Sequence, residues 1–194
     1  RMVRDIARQI GKRIRLTIHG EHVEVDRDVM DKIDAPLTHL LRNAIDHGIE
    51  DAATRAARGK PEEGELRIHA SHRAGMLAID ISDDGGGIDL QRVRHRLVEI
   101  GRMNEEAAAA LSEQALKEHL FAPGFSTRSE VTEVSGRGVG LDVVRETVER
   151  LEGSVRLTTR EGLGSTFHLL VPISRAVTRA LAIRVAGEIY AFPS

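Results

Sequence analysis

Apolar and polar positions change their period several times along this chain, and each change marks an element. Val3 to Ile10 carries apolar residues at helical spacing and stops at Gly11, a helix-ending residue. Ile14, Leu16 and Ile18 alternate with polar residues, which predicts a strand over Ile14 to His19, with Val23 and Val25 continuing it as a hairpin. A helical stretch follows, expected to break near Pro36, where a new helix starts, and to end at Gly48. Ala52 to Arg58 reads as a short helix. Leu66 to His72 and Leu77 to Ile81 alternate as two strands around Ala74-Gly75. Gln91 to Ile100 and much of Glu105 to Leu120 have helical periodicity, whereas Phe121 to Val139 is long, polar and Gly-rich, a loop. Leu141, Val144, Val148 and Leu151 form one stripe of a further helix. Ser154 to Thr159 and Ser165 to Val171 are closing strands. The order predicts an α+β fold, a two-layer sandwich with helices on one face of a mixed sheet. After Pro172 the pattern restarts: Leu181 to Val185 and Glu188 to Phe192 flank Ala186-Gly187 as a hairpin, expected to open a second, truncated domain.

Composition narrows the chemistry. A length of 194 residues suits one principal domain and a short extra piece. The aromatic share is 3% with no Trp, so the core must be aliphatic. Cys is absent, which excludes disulfides, thiolate metal sites and Cys nucleophiles. No apolar run approaches the roughly 18 residues that span a bilayer, and no signal-like segment opens the chain. The net charge of −2 is spread over mixed signs, so nucleic acid is not an expected partner. The abrupt beginning at Arg1 and end at Ser194 read as cuts in a longer protein.

Four segments carry candidate chemistry. On the helix ending at Gly48, about 100° per residue places His39, Asn43, Asp46 and His47 on one face, opposite Leu37, Leu41, Ala44 and Ile45. That is a plain amphipathic helix, or one whose Asn supplies a hard oxygen to Mg²⁺ and whose His orients or deprotonates a reacting group. Asp83-Asp84-Gly85-Gly86-Gly87 follows a strand and precedes a helix. It is a tight turn, or an Asp that accepts from an exocyclic amine beside glycines that admit a flat ring. Gly136-Arg137-Gly138-Val139-Gly140 opens the Leu141 helix, as a hinge or as a set of backbone N–H groups converging on phosphate. It is neither a Walker A loop nor a dinucleotide-binding fingerprint. Phe121 to Arg128 holds two of the four Phe, either as a small cluster under a loop or as the anchor of a lid.

Order and context of the four match the N, G1, F and G2 boxes of the GHKL superfamily of gyrase, Hsp90, MutL and histidine kinases. The strings Leu40-Leu41-Arg42-Asn43-Ala44-Ile45-Asp46-His47-Gly48-Ile49-Glu50, Pro123 to Arg128, and Val134 to Val144 resemble the CheA-type histidine kinases, with similarity from about Val3 to Pro193. The resemblance implies a GHKL (Bergerat) sandwich over residues 11–173. Residues 1–10 would end a dimerisation helix, and 174–194 would begin a CheW-like, SH3-like regulatory domain. It implies ATP and Mg²⁺ as cofactors. Asn43 would coordinate the metal, His39 would sit near the γ-phosphate, and His47 near ribose and phosphate. Asp83 would bind the adenine amine, with Gly85 and Gly87 beside the ring and Thr166 supporting Asp83. Gly136, Gly138 and Gly140 would cradle phosphates, Leu141 would line the pocket, and Arg92, Arg96, Ser126 and Arg128 are candidate phosphate contacts. Gly86 stands where Arg or Pro is common in the family.

The implied activity is transfer of the γ-phosphoryl group to a His on a separate phosphotransfer domain, and then to a CheY-like response regulator. A CheW-like adaptor and chemoreceptors are the implied partners, in a cytoplasmic homodimer without direct membrane insertion. This piece alone is expected to be monomeric under a mobile lid between Phe121 and Val139. None of the nine His has the His-x-x-Lys-Gly setting of the acceptor domain. Two rivals remain: a clamp-driving GHKL ATPase, which usually carries a Glu base where this chain has His39, and a nucleotide-binding scaffold module without catalysis.

Overall fold

The computed structural model describes residues 2–20, 22–125, 140–173, 180–185 and 188–193. Its centre is a five-stranded mixed sheet of β1 (Ile14–His19), β2 (Gly64–Arg73), β3 (Met76–Asp83), β4 (Ser154–Arg160) and β5 (Gly164–Pro172), in the order β1-β2-β3-β5-β4. Only β1 and β2 pair in parallel; the other neighbours are antiparallel. Among the described residues 22–26 there is no strand returning along β1, in contrast to the expectation from Val23 and Val25. Parallel pairing needs a long crossover, and the chain uses the segment from Arg27 to Ala57 for it. The turn between β2 and β3 has positive φ at both Ala74 and Gly75, the geometry that matches the twist of a two-residue hairpin.

Alternation gives the sheet one apolar and one polar face. Leu66, Ile79, Ile81, Val155, Leu157, Phe167, Leu169 and Val171 are buried on the first. Arg67, Asp80, Ser82, Thr158, Thr166 and His168 stand on the second, by register. The core is aliphatic, as the composition requires, and joins these strands to Val29, Ile33, Leu40, Val93, Leu97, Val144 and Val148 of the helices.

The helical layer comprises α1 (Met2–Gln9), α2 (Arg27–Asn43), α3 (Ala52–Ala57), α4 (Leu90–Glu99), α5 (Glu105–Ala110), α6 (Glu113–His119) and α7 (Leu141–Arg150). Asp26 caps α2 by accepting from the Asp28 N–H at 2.9 Å. Pro36 does not start a new helix: α2 runs through it with the ring buried, and apolar packing offsets the one missing backbone bond. The stretch from Glu105 to Leu120 is two helices, because Ser112 caps a second start by accepting from the Ala115 N–H. A two-stranded antiparallel hairpin, β6 (Ala180–Val185) with β7 (Glu188–Pro193), follows the sheet.

Candidate functional site

The Asp83 turn is the most constrained feature of the structure. Asp83 ends β3, and its Oδ1 accepts the Gly85 N–H at 2.9 Å. The Ser165 backbone N–H points at the same carboxylate. Gly48 lies against it, where a Cβ would fall 3.2 Å from both carboxylate oxygens. The Gly86 N–H donates to the Gly48 carbonyl at 2.9 Å. A Cβ on Gly85 would sit 2.0 Å from that carbonyl oxygen, and one on Gly164 would sit 2.0 Å from the Asp83 backbone carbonyl oxygen. Glycines are thus required where the backbone closes around Asp83, Gly48 and Gly85 beside its carboxylate and Gly164 against its carbonyl. Burial pushes Asp83 from its ordinary value up to about 6; the Gly85 and Ser165 N–H groups oppose this, and Asp84 and Glu50 add to it. At neutral pH the group is mostly ionised, an acceptor at the end of an apolar floor.

The second part lies on α2 and the turn that extends it. Ala44–Gly48 is a single π-helical turn, a widening that occurs often at functional sites. Lys12 Nζ gathers two of the turn's carbonyls and the next one, with hydrogen bonds to Ile45 O (2.8 Å), Asp46 O (3.0 Å) and Ile49 O (2.7 Å). One turn earlier, Asn43 Nδ2 lies 2.9 Å from His39 Nε2. An amide nitrogen only donates, so His39 Nε2 accepts and the ring is neutral with its proton on Nδ1. Burial lowers the His39 pKa, with Arg42 and His47 acting in the same direction and Asp142 opposing them. The Asn43 carbonyl oxygen is thereby turned away from His39 and presented to other partners.

The third part is the start of α7, packed on α2. Its N-cap is Gly140, which has no side chain to accept from the first turn, although Asp142 Oδ1 takes the Val143 N–H at 2.9 Å. Helix-start N–H groups without a side-chain acceptor attract anions. Asp142 stands in that turn, accepts from Gly124 N–H at 3.4 Å, and contributes to the field at His39.

The structure therefore brings His39, Asn43, Gly48, Asp83, Gly85 and the α7 start to one side of the sheet. Gly87 is close by with φ +71°, where a Cβ would meet the Arg160 carbonyl oxygen at 2.3 Å. Leu141 is half-buried against the core. His47 is exposed on the π turn. Arg92 is exposed on α4, while Arg96 pairs with Glu99 at 2.7 Å. Ser126, Arg128, Gly136 and Gly138, with most of the expected lid, lie outside the described residues.

Thr166 does not stand where it was expected. Asp83 is registered with Ser165, whereas Thr166 is opposite Ser82 and its hydroxyl lies 2.9 Å from the Ser82 hydroxyl. Both border a recess on the polar face with Arg67. The residue beside Asp83 is Ser165, buried and 2.9 Å from the Thr159 hydroxyl. Parity contained that signal, since Ser165 alternates in phase with Phe167, Leu169 and Val171. Arg55, fully buried beneath the Asp83 turn, also escaped sequence reasoning.

Comparison with known proteins agrees with this geometry. The model of the histidine kinase-, DNA gyrase B- and HSP90-like ATPases matches residues 32–175. The chain belongs to that family, as a CheA-type member of it. It is 41% identical to the chemotaxis protein CheA of Bacillus subtilis over 193 residues, all of this chain and 29% of that protein. It is 44% identical to the gliding motility regulatory protein of Myxococcus xanthus, over all of this chain and 25% of that protein. The chain thus spans about a quarter of the length of these relatives. The blue-light activated histidine kinase of Erythrobacter litoralis superposes with a TM-score of 0.55 at 17% identity, covering 90% of this chain and 40% of that one, a likeness of fold.

Proposed function

We propose that this chain is the ATP-binding catalytic domain of a CheA-like protein-histidine kinase. It takes Mg-ATP and passes the γ-phosphoryl group to a His on a separate phosphotransfer domain. The observation that carries the reading is the neutral His39 bonded to Asn43 beside the α7 start, in the family's N-box. A hydrolytic member would need a base that activates water there. His39 instead engages its one free lone pair with Asn43, which suits an orienting role and disfavours clamp-type hydrolysis.

The residues present fit the nucleotide. Asp83 accepts from the adenine amino group, with the ring over Gly85 and Gly87 and Ser165 buttressing the carboxylate. The N-terminus of α7, from Gly140, receives phosphate oxygens. Among the described residues no cluster of three or more His, Asp or Glu could hold a metal alone. A cation there depends on one protein oxygen, Asn43 Oδ1, plus phosphates and water, which is the usual habit of Mg²⁺. When bound, Mg²⁺ neutralises charge on the phosphates. In the transfer, the bond between the γ-phosphorus and the bridging β–γ oxygen breaks as an N–P bond to the acceptor imidazole forms, and ADP leaves. The chain's own contribution is positioning and charge placement.

The relatives' names support a chemosensory or motility setting, with a CheY-like response regulator receiving the phosphoryl group and a CheW-like adaptor linking the kinase to chemoreceptors. Residues 174–194 as the start of the adaptor-binding domain, the dimeric full-length protein and a cytoplasmic location belong to the same reading. Among the described residues no helix is long and apolar enough to cross a membrane. The test is transfer of label from γ-labelled ATP to an added phosphotransfer domain.

A further inference from the structure

Helix α3 buries a single residue, and that residue is charged. Arg55 is 0% exposed, while Ala52, Ala53, Ala56 and Ala57 face solvent. The helix therefore gains almost nothing from apolar burial and docks through one guanidinium. Its fork grips both oxygens of Asp84, Nη1 to Oδ1 at 3.1 Å and Nη2 to Oδ2 at 2.8 Å. Nε donates to Pro61 O at 2.6 Å, and Nη1 to Glu50 Oε2 at 3.3 Å. Lys60 completes the set, donating to Glu50 Oε1 (3.0 Å) and to the carbonyls of Asp84 (2.8 Å) and Gly85 (2.7 Å). Those two carbonyls belong to the turn that closes on the Asp83 carboxylate.

Stability alone does not call for such a group. A buried ion pair is often no better than apolar residues of equal volume, because desolvation offsets the attraction. What an apolar residue cannot do is hold a planar fork on a carboxylate and so fix its rotation. Asp84 is held from the other side too, its Oδ1 accepting the Glu65 N–H at 2.8 Å.

We propose that Arg55 is a positioning residue for purine recognition: with Lys60 it locks the Asp84–Gly85 backbone, so that the adjoining Asp83 carboxylate keeps the direction that selects an amino-bearing purine. This rests on the reading of Asp83 as the adenine site. Charge works in the same direction. Glu50 and Asp84 both push the Asp83 pKa up, and Arg55, Arg58 and Lys60 surround them with positive charge.

The experiment measures affinities of the chain for the non-hydrolysable β,γ-imido analogues of ATP and GTP, with thermal melts alongside. Arg55→Met should weaken the ATP analogue at least tenfold while leaving the GTP analogue within about twofold, so the preference for adenine shrinks. Arg55→Lys should recover only part of it, since an ammonium cannot fork. If Arg55→Met does not fold, Asp84→Asn reads the same loss, because it keeps the side-chain volume and an acceptor for Glu65. A lowered melting temperature with the wild-type ATP-to-GTP ratio in all three would reduce Arg55 to a structural ion pair and overturn the proposal. Asp83→Asn is measured in parallel. An unchanged ratio there sinks the adenine assignment itself. A collapsed ratio in Asp83→Asn with a preserved one in the Arg55 and Asp84 variants sinks the positioning role alone.

Discussion

Replacing Asp83 with Asn should separate binding from stability. In the free protein the Asn oxygen can still accept the Gly85 N–H, so the turn survives. Its amide NH₂ then faces the adenine amine, donor against donor. Losing a hydrogen bond to a charged acceptor is worth about 1.5–3 kcal/mol, or roughly 10- to 150-fold in the dissociation constant. The free protein responds in the opposite direction. Asp83 is raised from 3.8 to about 6 by burial, so folding favours its protonated form. That contribution is fully present below the unfolded value near 3.8 and is lost as pH rises through about 6. At pH 8 the native state therefore carries an ionised carboxylate at a disadvantage of up to about 3 kcal/mol relative to the neutral form. Asn removes it, and the melting temperature should rise by roughly 2–4 °C per kcal/mol recovered. Calorimetry with ADP and melts at pH 8 and pH 4 measure both. The expected result is a large loss of affinity with a melting gain at pH 8 that shrinks toward pH 4. Unchanged affinity, or equal destabilisation at both pH values, would refute the reasoning.

Asn43→Ala should weaken nucleotide binding strongly with Mg²⁺ and little in EDTA; an equal effect in both would remove Asn43 from the metal. Thr166→Ala should change the ADP dissociation constant by less than about twofold, because its hydroxyl pairs with Ser82 on the polar face; a roughly tenfold loss of affinity would contradict the register argument. Lys12→Met should lower stability by about 1–3 kcal/mol, because it strands carbonyls of the π turn, and should weaken nucleotide binding through Gly48; a melt identical to wild type would show that the three bonds carry little.

Much of this was legible from periodicity. Alternation located every strand of the sheet, and the helical stripe of α7 was read from Leu141, Val144, Val148 and Leu151. The pairing of β1 was not legible, since alternation fixes which face a residue occupies and not its neighbour's direction. Pro36 misled because a local rule about proline ignores the burial of its ring within α2. Thr166 beside Asp83 is what the resemblance implies, whereas strand parity puts it on the far face from Ile79, Ile81 and Asp83. Arg55 gave no signal at all. An Arg among alanines reads as a solvated helix face, and only the fold reveals Asp84 and Glu50 waiting beneath it. The lid expectation falls mainly on residues 126–139, outside those described.

The measurement that bears most directly on function is label transfer from γ-labelled ATP, with this chain, with and without an isolated phosphotransfer domain carrying the acceptor His. Acid-labile, base-stable label should appear on the added domain only, with no label on this chain and little free phosphate, and light scattering should report a monomer. Steady release of inorganic phosphate without transfer would point to a clamp-type ATPase, and label on the chain itself would contradict an acceptor that lies elsewhere.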